Sequence, residues 1–365
     1  SVEPTTEFGD TYIDVLCRNL PGDTACSGET TLTPTPTPAP TSTPPPAGGP
    51  SGSFSFSAAG DAGATSRAVA SFQAIASDPS ILFHLALGDM SYNDVTPESG
   101  WCDFVKGIVG STFPMQLIAG NHEDASSGDD GFIDNFAACL PDRMNSTGIY
   151  GHRYSFDYPA ASPLARFIMI DPAVKRDGSR QQYCDGESIN CDWLKATIRE
   201  AKAQGLWTIV GMHKVCITAG NKPCEMSEAT MNVLIEEGVD LVLQGHDHDY
   251  QRSHALAQRS GCGSVPADSF NSNCVADNGS DGSYARGAGT VFIIAGTFGG
   301  GGFTPIDTAD SEIGYFAAWN GSNVTNPSSF SPARGFVKYT VTADRIEATF
   351  VPTSGGNYAD TFVIQ

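Results

Sequence analysis

The feature that most constrains the fold of this 365-residue chain is a pattern that occurs five times. An apolar run of strand length is followed at once by a short cluster of glycine with Asp, Asn, Tyr or His. The five clusters are GDAG at 60–63, GDMSY at 88–92, GNHE at 120–123, VGMH at 210–213 and GHDH at 245–248. Such runs predict strands, and open α/β sheets place ligand sites where strands end. The pattern therefore predicts one composite site.

Each cluster alone has a commonplace explanation. A Gly-Asp pair after a strand usually forms a turn or a helix cap, and a single histidine there is more often structural than a ligand. Tyr92 alone would be expected in the core or at an interface. The recurrence of oxygen and nitrogen donors at five strand ends is what favours a metal site over these explanations.

The remaining periodicity predicts an α/β fold. Strand-like runs lie at 81–87, 113–119, 166–170, 206–212, 239–244 and 290–296. Amphipathic helices are predicted near 65–77, 192–203 and 226–237, and residues 336–365 are typical of alternating strands. Strands that alternate with helices indicate a sheet core covered by helices.

A linker rich in proline and threonine, residues 31–52, divides the chain. Such a sequence favours polyproline II and cannot form a packed core. It separates a short segment, 1–30, from the main domain at 53–365. Because residues 1–30 are too few to fold alone, we interpret them as an assembly contact. A homo-oligomer or filament through residues 1–50 is the resulting hypothesis.

The cysteines indicate an oxidising compartment. There are ten, at 17, 26, 102, 139, 184, 191, 216, 224, 262 and 274, and no CxxC motif occurs. Five sequential disulfides in a secreted or cell-surface protein are the simplest interpretation, and buried free thiols are the alternative. Four Asn-x-Ser/Thr triplets fit a glycoprotein; they begin at Asn145, Asn278, Asn320 and Asn323.

The charge and hydropathy exclude other classes of partner. The formal net charge is −21, which disfavours nucleic acid and anionic membranes because both repel an acidic surface. No apolar run of about 20 residues is present, so we predict no membrane span. Any phosphate substrate would need a locally cationic site in this acidic protein.

The five clusters resemble those of the purple acid phosphatases, within the calcineurin-like metallophosphoesterases. The resemblance covers most of residues 54–365 and includes GHDHDYQR from 245 and AGTFGGGGF from 295. The wider superfamily usually has Asp-x-His in the first cluster, where this chain has Gly63; that difference and Tyr92 point to the purple acid subgroup. The resemblance implies a four-layer α-β-β-α sandwich with a mixed sheet core.

The resemblance also implies a dinuclear metal centre. One position would hold Fe(III) and the other a divalent ion, Fe, Zn or Mn. A trivalent ion suits a tyrosine ligand because a phenol, with a pKa near 10, is otherwise a poor ligand at acidic pH. The metal charges would exceed those of the anionic ligands, which answers the charge problem. The implied ligands of the iron are Asp61, Asp89, Tyr92 and His248, and those of the second metal are Asp89 as a bridge, Asn121, His213 and His246.

The implied function is an acid phosphatase acting on small phosphate monoesters through a metal-activated hydroxide. His122 would contact the phosphate and protonate the leaving group, with Glu123 either orienting it or exposed to solvent. Lys214 and His254 are candidate substrate contacts, although Lys214 is equally typical of a solvated lysine. Two alternatives stay open: a phosphodiesterase or nucleotide-cleaving enzyme, and a surface or fibre assembly protein that displays the phosphatase domain.

Two further histidines, His84 and His152, are interpreted as structural. The acidic loop at 123–134 lies next to the third cluster, and it is expected to discourage polyanionic substrates or to bind a cation.

Overall fold

The computed structural model describes residues 52–124, 131–176, 179–323 and 332–365. The predictions made for residues 1–51, including a Cys17–Cys26 disulfide and an assembly contact, lie outside the described residues. So does half of the acidic loop, residues 125–130.

Five helices and twenty strands make up the described part. The helices are α1 Ser66–Ser77, α2 Glu98–Val109, α3 Ile133–Cys139, α4 Ile189–Ala203 and α5 Glu228–Glu236. The first ten strands are β1 Ser53–Ala59, β2 Ile81–Ala86, β3 Met115–Leu117, β4 Thr147–Ile149, β5 Arg153–Tyr158, β6 Ala165–Met169, β7 Lys175–Arg176, β8 Ser179–Arg180, β9 Trp207–Gly211 and β10 Leu241–Gln244. The others are β11 Tyr250–Leu256, β12 Val275–Asp277, β13 Ser283–Tyr284, β14 Thr290–Ala295, β15 Pro305–Ile306, β16 Phe316–Asn320, β17 Ser322–Asn323, β18 Ala333–Thr342, β19 Ile346–Gly355 and β20 Thr361–Ile364.

Two large mixed sheets form the centre of the fold. The first has seven strands in the order β13-β20-β19-β18-β1-β2-β3. The second has nine, in the order β12-β11-β14-β10-β9-β6-β5-β4 with β16 paired to β11. Strands β1, β2 and β3 run parallel to one another, as do β6, β9, β10 and β14. In the second sheet the parallel strands lie between antiparallel ones, whereas in the first they lie at the β3 edge and the antiparallel strands β18, β19 and β20 follow on the other side of β1.

The two sheets pack face to face through aromatic side chains. Phe56 and Phe83 of the first sheet contact Phe167 of the second, with ring centroids 5.0 and 5.4 Å apart. Along β6 the neighbouring residues alternate, because successive side chains in a strand point to opposite faces: Phe167 lies in the core between the sheets, and Ile168 lies in a second core on the outer face.

Helices cover the two outer faces. Helix α1 packs on β18 and β19 of the first sheet and on α2, which in turn contacts α3. Helix α4 packs on β6 and β9 of the second sheet, and Leu234 of α5 lies in the same outer core. The layers are therefore helix, sheet, sheet and helix, which is the α/β sandwich that the resemblance implies.

The structure confirms four of the five predicted disulfides, Cys102–Cys139, Cys184–Cys191, Cys216–Cys224 and Cys262–Cys274. Two glycosylation triplets have exposed asparagines, Asn145 and Asn278. The triplet at Asn320 does not fit a glycosylation site, because the Asn320 side chain is buried and both of its amide atoms hydrogen-bond the backbone of Ala333. Within the described ranges, no helix is long and apolar enough to cross a bilayer.

The structure agrees with the structural interpretation of two histidines. His84 is buried in the sheet, its Nδ1 lies 2.9 Å from the Ser57 hydroxyl, and burial lowers its pKa to about 3. His152 bridges the carboxylates of Asp134 and Asp171, each 3.1 Å away.

Candidate metal centre

The five clusters meet where parallel strands of both sheets end. Strands β1, β2 and β3 of the first sheet lead into the first three clusters, and β9 and β10 of the second sheet lead into the other two. Glycine permits this approach: a Cβ at Gly60 would lie 3.1 Å from the Cα of Gly245 and 2.8 Å from the carbonyl oxygen of Leu87. The ends of the two sheets can therefore touch, as the composite site requires.

Four of the seven predicted ligands have a left-handed backbone. The φ angles are 65° at Asp61, 53° at Asp89, 51° at Tyr92 and 74° at His246. Such angles are costly for residues with a Cβ and concentrate at functional sites, where the surrounding structure enforces them. These side chains are aimed inward by strained turns.

The donors predicted for the iron converge on one point. The Tyr92 hydroxyl lies 2.6 Å from Asp61 Oδ1, 3.1 Å from Asp89 Oδ2 and 2.9 Å from His248 Nε2. His248 Nε2 is itself 3.2 Å from Asp61 Oδ1. Two carboxylates, a phenol and an imidazole at such distances form a donor set that fits a hard trivalent cation.

The donors predicted for the second metal lie beside the first group. His213 Nε2 is 3.2 Å from Asp89 Oδ2 and 3.2 Å from Asn121 Oδ1. The ligand atoms of Asp89, His213 and His246 lie within 4.8 Å of one another. Asp89 contacts members of both groups through the same oxygen, so it is placed to bridge two cations.

Backbone contacts orient the ligand atoms. The Nδ1 atoms of His213 and His248 lie 2.7 and 3.0 Å from the carbonyl oxygens of Leu87 and Gly302. A carbonyl accepts only, so each Nδ1 carries a hydrogen, and Nε2 is the nitrogen that can bind a cation once its own proton has left. These contacts fix the tautomer that metal coordination requires, and the residues present therefore fit a dinuclear centre.

The buried carboxylates of Asp61 and Asp89 make the site favourable for positive charge. Burial alone would lower the pKa of His213, but the carboxylates of Asp89 and Asp61 raise it to about 9. Burial and the same two carboxylates raise the pKa of Tyr92 well above its usual value. The negative charge that raises these two pKa values also attracts metal cations. Tyr92 can ionise to tyrosinate beside two carboxylates only if a metal cation is bound there.

His122 lies beside the two groups without joining them. Its ring is 4.5 Å from the Tyr92 ring, its Nε2 is 3.8 Å from Asp89 Oδ2, and its side chain is 35% exposed. The interpretation of Glu123 as exposed to solvent is wrong. That residue is buried, and its carboxylate accepts hydrogen bonds from the backbone N–H groups of Asp89, Met90 and Gly120, so it fixes two ligand loops.

Of the two candidate substrate contacts, Lys214 lies at the site and His254 lies away from it. Lys214 is buried rather than solvated, and its Nζ lies 3.0 Å from Asn121 Oδ1 and 3.1 Å from His246 Nε2. His254 lies six residues beyond His248 on β11, and since a strand advances about 3.3 Å per residue, it is remote along that strand. Its Nδ1 contacts the carbonyl oxygen of Asn278.

One residue of the site, Glu225, was not predicted from the sequence. Its carboxylate contacts His246 Nε2 and lies 3.0 Å from Lys214 Nζ. The predicted Cys216–Cys224 disulfide could have indicated this residue, because it brings the chain after Cys224 back beside the residues that precede Cys216. The Glu225 N–H accordingly donates to the carbonyl oxygen of Val215.

Comparison with known proteins places the chain among related sequences. The calcineurin-like phosphoesterase family model matches residues 54–250. The uncharacterized protein Rv2577 of Mycobacterium tuberculosis is 29% identical over 192 residues, which cover 48% of this chain and 35% of the relative. Purple acid phosphatase 15 of Arabidopsis thaliana is 25% identical over 161 residues, covering 43% and 28%. The chain thus matches about a third of the length of these curated relatives.

A solved structure supports the fold. Purple acid phosphatase PPD1 from yellow lupin (Lupinus luteus) seeds aligns with a TM-score of 0.59 at 16% identity, over 88% of this chain and 55% of that one. The stretch matched by the family model is more than half of the chain and contains all seven predicted ligands. The chain therefore belongs to the calcineurin-like phosphoesterase family.

Proposed function

We propose that this chain is a secreted or cell-surface, metal-dependent phosphoric ester hydrolase that cleaves phosphate monoesters at a dinuclear centre. The observation that carries the proposal is the convergence of seven donors from five strand ends into two groups that share Asp89. When bound, the two cations supply a water of lowered pKa and positive charge for the phosphoryl oxygens. The relatives named purple acid phosphatases support the same chemistry.

The chain's own residues divide the remaining tasks. The His122 side chain is 35% exposed and lies beside the two donor groups, so it is the group that reaches a phosphate ester and gives a proton to the leaving oxygen. Asp61 and His246 are locked together, since the His246 N–H donates to Asp61 Oδ2 at 2.8 Å. Glu123 holds the loops of Asp89 and Gly120. These contacts keep the donors aimed at the site with little freedom to reorganise.

The location and the assembly state are parts of the proposal. Four disulfides and two exposed glycosylation triplets support an extracellular or cell-surface protein. The acidic net charge supports small phosphate esters over nucleic acid as substrates. A homo-oligomer through residues 1–50 stays a prediction; deletion of those residues should change the oligomeric state in solution.

The proposal is tested by metal analysis, a visible spectrum and hydrolysis of two substrates. The purified full chain should contain iron and a second metal, show a visible band from tyrosinate-to-iron charge transfer, and hydrolyse p-nitrophenyl phosphate faster than bis(p-nitrophenyl) phosphate. Tyr92→Phe should remove the band, whereas Tyr358→Phe should retain it, because Tyr358 packs against Tyr250 and Phe350. Persistence of the band in Tyr92→Phe would refute the ligand assignment, and preference for the diester would favour the phosphodiesterase alternative.

A further inference from the structure

The ammonium group of Lys214 lies among three acceptors. Its Nζ is 3.0 Å from Asn121 Oδ1, 3.0 Å from Glu225 Oε2 and 3.1 Å from His246 Nε2. The Lys214 side chain is only 6% exposed. These three atoms form a small cradle that holds the single positive charge of Lys214.

Two members of this cradle are also predicted ligands of the second metal. The lone pair of Asn121 Oδ1 that accepts from Lys214 cannot coordinate a metal at the same time, and neither can His246 Nε2 while it is engaged by Lys214 or by Glu225. Metal–ligand bonds to nitrogen and oxygen are about 2.0–2.2 Å long for a zinc ion. An ammonium nitrogen about 3 Å from both atoms therefore occupies the space that such an ion needs.

Glu225 gives the cradle its negative charge. The Glu225 carboxylate contacts both Lys214 Nζ and His246 Nε2. Its backbone is fixed beside Val215 by a hydrogen bond and by the Cys216–Cys224 disulfide. If Lys214 withdrew, Glu225 would still face the point on which Asn121 and His246 converge.

We propose that Lys214 is an internal competitor of the second metal and that Glu225 is the carboxylate to which both cations are drawn. The proposal rests on the assignment of the second metal position made under the proposed function. Loading of that position requires Lys214 to leave Asn121 and His246, so the second metal is held more weakly than the first. No comparable lysine contacts the described ligands of the first position, Asp61, Tyr92 and His248.

The test measures metal affinity directly, by competition between the full chain and a zinc chelator. Iron content is measured in every sample to show that the first position is intact. Lys214→Met should bind the second equivalent of Zn²⁺ at least tenfold more tightly than the wild type, and Lys214→Arg should not. Glu225→Gln should bind it at least tenfold more weakly. Lys222→Met is the matched control, because it removes the same charge from the Cys216–Cys224 loop next to Lys214 without a described hydrogen bond to Asn121 or His246.

The outcomes separate this inference from others. Equal affinities for Lys214→Met and Lys222→Met, or weaker binding by Lys214→Met, would overturn the competition. Unchanged metal affinity together with weakened binding of inorganic phosphate would make Lys214 a substrate contact instead. Failure of the wild type and of Lys214→Met to take up two metals would refute the dinuclear function itself. Melting temperatures of all variants check folding, and Glu225→Gln keeps the test decisive if Lys214→Met unfolds, because an unchanged zinc affinity in that variant would refute the role of Glu225.

Discussion

At the scale of single residues, Gly301 shows how tightly the proposed iron position is enclosed. The Gly301 carbonyl oxygen accepts from Nη2 of Arg67 at 2.8 Å and from Nη2 of Arg334 at 2.7 Å, so its loop is anchored. Its φ is +54°, and an added Cβ would lie 2.4 Å from Cε1 of His248. Because two hydrogen bonds hold the loop, an added methyl group is expected to displace the ring of His248, a predicted metal ligand.

Gly301→Ala is accordingly expected to lower iron occupancy and to shift or bleach the visible band. Displacement of a ligand by about 1 Å should reduce phosphomonoesterase activity roughly 100-fold. Gly287→Ala is the matched control, because Gly287 also has a positive φ, +78°, and its Cβ would meet nothing within 4 Å. Iron analysis and spectra of both variants check this. An unaltered band in Gly301→Ala would show that the enclosure is looser than the structure indicates.

The grouping of the seven predicted ligands could be foreseen from the sequence, because each lies just beyond a strand and carries an unusual donor for its position; their role as metal ligands stays a prediction. The roles of Lys214 and Glu225 could not be. Their contacts depend on where a disulfide loop returns, and a lysine in a loop is ordinarily solvated. His254 shows the converse: its proximity in sequence to His248 suggested a site contact, but along an extended strand six residues carry it away.

At the scale of elements, prediction succeeded where a strand is buried on both faces. Runs such as 239–244 are mostly apolar because parallel strands between two layers meet no water. Helices α2 and α3 were missed, since α2 contains Gly100 and Gly107 and α3 has only seven residues. The paired strands β4 and β5 were also missed; all three residues of β4 are exposed at the sheet edge, so they lack an apolar signal.

The disulfide loop Cys216–Cys224 makes an element-scale prediction. It fixes Glu225 beside Val215, so Cys216→Ser/Cys224→Ser should destabilise the fold by roughly 2–3 kcal/mol and also weaken binding of the second metal. The control, Cys262→Ser/Cys274→Ser, opens a loop of similar size, 12 against 8 residues of separation. Thermal unfolding and zinc competition on both double variants measure the two effects. Equal metal affinities would show that the loop stabilises the fold without positioning Glu225.

At the scale of the whole molecule, buried acids set the response to pH. Glu312 is buried, and its oxygens accept from the N–H groups of Thr218 and Asp268. Burial, assisted by the charges of Asp310 and Asp268, nevertheless raises the pKa of Glu312 to about 7. A folded-state pKa above the unfolded value of 4.5 means that the folded chain binds more protons between those two values. The free energy of unfolding must therefore fall as pH rises through this window.

The pH window of greatest stability follows from two opposing groups. Glu312 contributes at most about 3 kcal/mol, all of it lost on going from pH 4.5 to beyond pH 7. His84 acts oppositely, because burial lowers its pKa from 6.5 to about 3, so its contribution is lost as pH falls below 6.5. The net charge of −21 adds repulsion that protonation of acids relieves. We therefore expect the melting temperature to be higher near pH 5.5 than at pH 8.

The role of Glu312 is isolated by comparing slopes rather than absolute stabilities. Glu312→Gln cannot lose a proton, so its melting temperature should change less between pH 5 and pH 7 than that of the wild type, even though the amide serves the two N–H groups less well. Glu347→Gln, at an exposed position of β19, should keep the wild-type slope. Parallel curves for Glu312→Gln and the wild type would mean that Glu312 is already ionised in the folded chain at pH 5. The greater stability at acidic pH would then come from the surface charge. Added salt would reduce a pH dependence that comes from surface charge, because salt screens exposed charges, but it would leave one that comes from a buried carboxyl largely unchanged.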